Sequence, residues 1–186
     1  MRRPTITGLL LAGAIGIASN AFGSSILNGG FETGSFAEWT VDRAESGSLL
    51  FLGGRAHSGT KAAWFGAIGS LDDVLSQTLT TEPGHSYVVA FWLAHGATDA
   101  SNAFSVWWDT TPLLMLDHAM RFAGTEYVYS VPATGESTVL RFEGRELRDY
   151  YYLDDVSVTP VPNPEPGTLI LVGLGAAALV RARRRR

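Results

Sequence analysis

Between residues 24 and 160 the chain never sustains a helical period. It breaks into short apolar or alternating runs: Leu49–Leu52, Ala62–Phe65, Val74–Leu79, Tyr87–Leu93, Ala103–Trp108, Thr125–Val131, Thr138–Glu143 and Tyr151–Thr159. Gly, Pro, Ser, Asn or Asp separates most of them, and runs of this length between turn formers read as strands. Eight or more strands without covering helices predict an all-β fold, a two-sheet jelly-roll β-sandwich. Leu113 to Phe122 is expected to supply one short turn of helix. Tyr87–Leu93 is apolar at every position, so it is expected to be buried on both faces and central in its sheet. Val74–Leu79 has a polar side, Ser76 and Thr78, and reads as half exposed.

The two ends do not share this pattern. Arg2 and Arg3 precede an uncharged apolar run from Ile6 to Ala18, and Ser19-Asn20-Ala21 offers the small residues a signal peptidase reads. Residues 1–21 are therefore expected to be a secretory signal peptide cut after Ala21, with Gly23 the second choice. As a membrane anchor the run falls short of the ~20 residues a bilayer of ~30 Å requires. At the other end, Val161 to Pro166 carries three prolines in five residues, which enforces an extended linker. Gly167 to Val180 has no charge, and as a helix it would span ~21 Å at ~1.5 Å per residue. Arg181, Arg183, Arg184, Arg185 and Arg186 follow and would stay cytoplasmic. This predicts a transient stop-transfer helix, with an accessible peptide just outside the membrane. A permanent tail anchor has the same composition.

Charge narrows the partners. The formal net charge is −4, but seven of the 14 basic residues lie at the two ends and 17 of the 18 acidic ones lie between. The central domain is thus near −10, with Lys61 its only lysine. Such a surface repels phosphate backbones, which argues against nucleic acid. With no cysteine, thiol nucleophiles, disulfides and thiolate zinc sites are excluded.

Pro164-Glu165-Pro166, the Gly/Ala/Leu-rich run and the terminal arginines, in that order, resemble the PEP-CTERM sorting signal. The resemblance covers residues 161–186. It implies a Gram-negative exopolysaccharide producer and processing by an exosortase, a membrane-embedded transpeptidase-like protease. Four further segments resemble the galactose-binding-like β-sandwich shared by several carbohydrate-binding modules. They are Asn28-Gly29-Gly30-Phe31-Glu32 with Trp39, His57-Ser58-Gly59, Ser76-Gln77-Thr78-Leu79 with Pro83-Gly84 and Tyr87, and Leu153 to Val158. That resemblance covers nearly all of residues 24–160.

Three chemistries are candidates for the domain. The resemblance implies a structural calcium ion shared by Glu32 and Asp154 or Asp155, with carbonyl oxygens from the His57–Gly59 loop; calcium favours such hard oxygen ligands. Alternation puts Asp154 on the same face as Val156 and Val158. Its plainer role is to cap backbone amides or to meet an arginine such as Arg141. A glycan platform is the second candidate. Trp107 and Trp108 are adjacent on a strand and must face opposite ways, so one is core and the other can stack on a sugar with Asp109 beside it. Tyr150-Tyr151-Tyr152 raises the same reading, and packing explains most of these aromatics equally well. Catalysis is the third. Asp72-Asp73 and Glu143/Glu146 are acidic pairs of the kind glycoside hydrolysis requires, though Asp72-Asp73 reads as a solvated turn. His57, His85, His95 and His118 lack metal-ligand spacing, and there is no Gly-x-Ser-x-Gly elbow.

The resulting expectation is a non-enzymatic, exported domain, delivered to the cell surface or matrix and binding exopolysaccharide. A purely structural coat protein and a polysaccharide hydrolase are the rivals.

Overall fold

The computed structural model describes residues 25–44, 47–98 and 101–162. The signal-peptide and sorting-signal readings, including Pro164–Pro166 and the terminal arginines, fall outside these residues.

Among the described residues ten strands form: β1 (Thr40–Asp42), β2 (Phe51–Gly53), β3 (Ala62–Phe65), β4 (Asp73–Thr80), β5 (Ser86–His95), β6 (Asn102–Trp108), β7 (Thr111–Asp117), β8 (Phe122–Pro132), β9 (Ser137–Glu146) and β10 (Tyr151–Pro160). They make two five-stranded antiparallel sheets, ordered β1-β4-β9-β6-β7 and β2-β3-β10-β5-β8. Their inner faces close over one core. Phe91 meets Phe142 edge-on at 5.4 Å, and Phe65 meets Phe104 the same way at 5.3 Å, so aromatic pairs bridge the sheets.

The strand pattern was legible, with two corrections in β7 and β5 and a third at β10. Leu113–Phe122 makes no helix; β7 covers its first half, since Leu113, Leu114 and Leu116 pack their apolar side against the core while Met115 points to solvent. β5 is an interior strand, paired with β10 and β8, yet only one of its faces is in the core. Tyr87, Val89, Phe91 and Leu93 turn inward, whereas Val88, Ala90 and Trp92 are half-buried on the outer face. An unbroken apolar run therefore marks an outer face that is covered, not a second core. In β4, Gln77 is buried; its amide group hydrogen-bonds both the N–H (2.9 Å) and the C=O (3.0 Å) of Leu27 and holds the leading segment to the sheet.

A bulge in β10 decides the site. Asp154 pairs with Trp92, but Ser157 pairs with Ala90, so β10 holds one residue more than β5 over this step. Asp155 sits at φ 48° inside the bulge. The extra residue flips the alternation. Asp154 shares the outer face with Tyr152, and Val156 and Val158 return to the core, which corrects the single face expected for all three.

Candidate functional site

The first motif explains how the loops gather. A Cβ on Gly29 would collide with the Val156 carbonyl oxygen, so only glycine lets this backbone lie against β10. The Val156 N–H donates to the Gly29 carbonyl at 3.0 Å, and the Trp39 indole N–H donates to the Asn28 carbonyl at 3.1 Å. This brings Glu32 beside the loop that follows β2. Its carboxylate accepts N–H bonds from Thr60 and Lys61, both at 2.7 Å, and a hydroxyl bond from Thr60 at 3.0 Å. These donors hold the Glu32 carboxyl below its ordinary pKa.

Asp154 grips the same loop. Its Oδ2 accepts the His57 N–H at 2.7 Å and the Ser58 N–H at 3.1 Å, and its Oδ1 accepts the Asp155 N–H at 2.8 Å. Burial pushes its carboxyl above the usual range, and these bonds pull against that. Asp155 Oδ2 meets His57 Nδ1 at 2.6 Å, and its Oδ1 accepts the Ser58 hydroxyl at 2.7 Å. The structure thus brings Glu32, Asp154 and Asp155 together, in the amide-capping role and without Arg141, which pairs with Glu143. Among the described residues no three His, Cys, Asp or Glu side chains are grouped as a metal would need. The three acids do surround Gly30: a Cβ there would lie 3.5 Å from Asp155 Oδ1 and 4.0 Å from both Asp154 Oδ1 and Glu32 Cγ.

The anchored loop roofs a cleft of about 420 Å³ on the outer face of β5 and β10. The His57 ring stacks on Trp92, with centroids 3.6 Å apart and planes 8° apart. Arg55 lies over the Tyr152 ring at 4.6 Å and donates to its hydroxyl at 3.0 Å. Burial first, and then the hydrogen bond to Asp149, pushes the Tyr152 hydroxyl up to about 12, so it stays protonated as a donor. Arg121, Phe122 and Gly124 form the opposite wall. A Cβ on Gly124 would rest 3.7 Å from Trp92 Cε3, so a larger side chain at this position would lie against the indole.

The tryptophans expected to bind lie elsewhere. Trp107 and Trp108 do face opposite ways, but Trp108 is core, its indole N–H donating to the Pro132 carbonyl at 3.0 Å. Trp107 is on the outer face of the other sheet. Its N–H is taken by Ser105 (2.8 Å) and Glu143 (3.0 Å), and Arg141 lies over its ring. Asp109, in the β6–β7 turn, ties that turn to β9 by accepting the Val139 N–H at 2.8 Å. The tryptophan that lines the cleft is Trp92, which the doubly buried reading of β5 concealed.

The acidic pairs are likewise engaged in structure. Asp73 is fully buried and accepts the Ala44 and Leu49 N–H groups, which corrects the solvated turn, while Asp72 meets Arg145 at 2.9 Å. Glu143 and Glu146 point to opposite faces of β9, and Glu146 is buried against His95 Nε2 at 2.5 Å. Neither pair faces a shared cleft as two carboxylates flanking a glycosidic bond would.

Comparison with known proteins agrees on both parts of the chain. Residues 164–186 match the PEP-CTERM protein-sorting motif. No curated protein matches the sequence. Among solved structures, the chain resembles the enzymatically active domain of bacteriophage CBA120 tailspike protein 4 (14% identity, TM-score 0.55, covering 74% of this chain and 21% of that one). It also resembles a family 16 carbohydrate-binding module (16%, 0.50, 73% and 99%) and the xylan-binding CBM22-1 domain of Paenibacillus barcinonensis Xyn10C (17%, 0.50, 72% and 92%). The chain spans only about a fifth of that tailspike domain's length. At these identities the likeness is one of fold: an all-β sandwich of the carbohydrate-binding-module type, carrying a PEP-CTERM sorting motif.

Proposed function

We propose that this chain is an exported, exosortase-processed protein of the cell envelope or extracellular matrix, whose sandwich binds a glycan without cleaving it. The observation that carries this reading is the roofed cleft: a stacked His57–Trp92 pair beside Arg55 and Tyr152, an aromatic surface with polar groups at its rim. Sugar rings present apolar faces and hydroxyl edges, which suit such a lining. The xylan-binding and family 16 folds lend it analogy. A panel of polysaccharides, including the producer's own, tests it: Gly124→Leu fills the space beside Trp92 and should abolish retention. Hydrolysis of any of them by the purified protein would overturn the non-catalytic part.

The tail sets the route. The C-terminal helix would hold the protein briefly in the inner membrane, and cleavage near Pro164–Pro166 would release it to the surface or matrix. Mass spectrometry of the mature protein should find no species ending at Arg186.

A structural calcium ion is proposed for the corner around Gly30, where Glu32, Asp154 and Asp155 lie close together and would exchange some of their present hydrogen-bond donors for the ion, tying the first loop to β10. An unchanged melting midpoint on adding chelator would reject it.

A further inference from the structure

We infer that the glycan this cleft takes is acidic, a polyuronate, with its carboxylates met by Arg121 and Arg55; this rests on the glycan reading above. The residues lining the cleft include no Asn, Gln, Ser or Thr. Their one carboxylate, Asp154, is 2% exposed and accepts three backbone N–H groups. Side-chain acceptors for the hydroxyls of a neutral sugar are therefore few: His57 Nε2, whose ring partner Nδ1 meets Asp155, and the Tyr152 oxygen, which already accepts from Arg55. The acids just outside are occupied too: Asp155 by His57 and Ser58, Asp149 by the Tyr152 hydroxyl. Glu126, in register with Trp92 on β8, is exposed and lies outside the lining.

Donors, by contrast, are in surplus. Arg121 is exposed at the cleft wall and makes no ion pair or hydrogen bond with any described residue. Arg55 commits one N–H to Tyr152 and has others free toward the cleft. Elsewhere three arginines are engaged, Arg141 with Glu143, Arg145 with Asp72 and Arg43 with the Leu50 carbonyl. In a domain near −10, two guanidinium groups facing one cleft is a local reversal of charge. A planar carboxylate fits the guanidinium fork in a bidentate way, and the aromatic stack takes the ring that carries it.

The test uses the full chain in mild detergent, with polygalacturonate, the same polymer after carboxyl reduction, and dextran sulfate as probes. Polygalacturonate should be retained, and reduction of its carboxyls should abolish retention. Arg121→Gln, at an exposed position with no partner among the described residues, should weaken it about tenfold, the size of one charge-assisted bond. Stronger retention by the reduced polymer would overturn the acidic assignment and leave the glycan reading standing, provided Trp92→Ala abolishes it. Equal retention by dextran sulfate would overturn it as mere polyanion attraction. Retention by none of the three, with another neutral polysaccharide bound, would overturn the inference alone. No polysaccharide bound at all would overturn both.

Discussion

Asp154→Ala probes the element on which the site depends. The Asp154 side chain joins the β10 bulge to the roof loop through the His57 and Ser58 N–H groups and stiffens the bulge through the Asp155 N–H. A hydrogen bond to a charged group contributes about 1.5–3 kcal/mol. Two factors reduce the net loss here. His57 and Ser58 are exposed residues, so water can replace the lost acceptor, and removal of the carboxylate relieves the burial cost that raises its pKa. The net destabilisation should be about 1–2 kcal/mol, or roughly 3–8 °C in midpoint for a domain of this size. Hydrogen exchange separates local from global effects. The His57 and Ser58 amides should lose protection altogether, while Val89 and Phe91 in β5 lose only the global increment. Asp154→Asn, which keeps one acceptor oxygen, should recover part of the loss. Unchanged stability, with His57 and Ser58 still protected in Asp154→Ala, would refute the anchoring role.

Two further outcomes follow from the same geometry. Gly29→Ala forces a Cβ into the Val156 carbonyl and should cost several kcal/mol or prevent folding, read by denaturant melts; a neutral result would mean the leading segment does not lie on β10. Glu32 titrates below its ordinary pKa when folded, so the unfolded chain takes up the proton first as pH falls. Its stabilisation is present above the unfolded pKa near 4.5 and is lost as pH drops through the lower folded value, and Glu32→Gln should flatten the acid limb of a stability–pH curve.

Strand positions were readable because turn formers bracket them, and β3 (Ala62–Phe65) falls where the sequence places it. What could not be read is which face a residue takes once the count of residues changes. The bulge at Asp155 is a single extra residue at positive φ, with no glycine to announce it, and it moves Asp154 from core to cleft. Trp92 was hidden for a related reason: the roof loop half-buries the outer face of β5, so its residues are as apolar as those of the core. Glu32, Asp154 and Asp155 were legible as a group because the flanking glycine and His57–Gly59 motifs recur in a known order. Their partners, backbone N–H groups of a distant loop, leave no trace in composition.

Retention of the full chain by a polysaccharide panel, compared across Trp92→Ala and Trp107→Ala, tests the binding site most directly. Loss of a stacking anchor costs about 2 kcal/mol, near thirtyfold in affinity. Trp92→Ala should lose that much, and Trp107→Ala, on the opposite sheet with its indole N–H already bonded, should match the parent. The reverse pattern, with Trp92→Ala fully retained and Trp107→Ala released, would place the binding face on the other sheet and contradict the account.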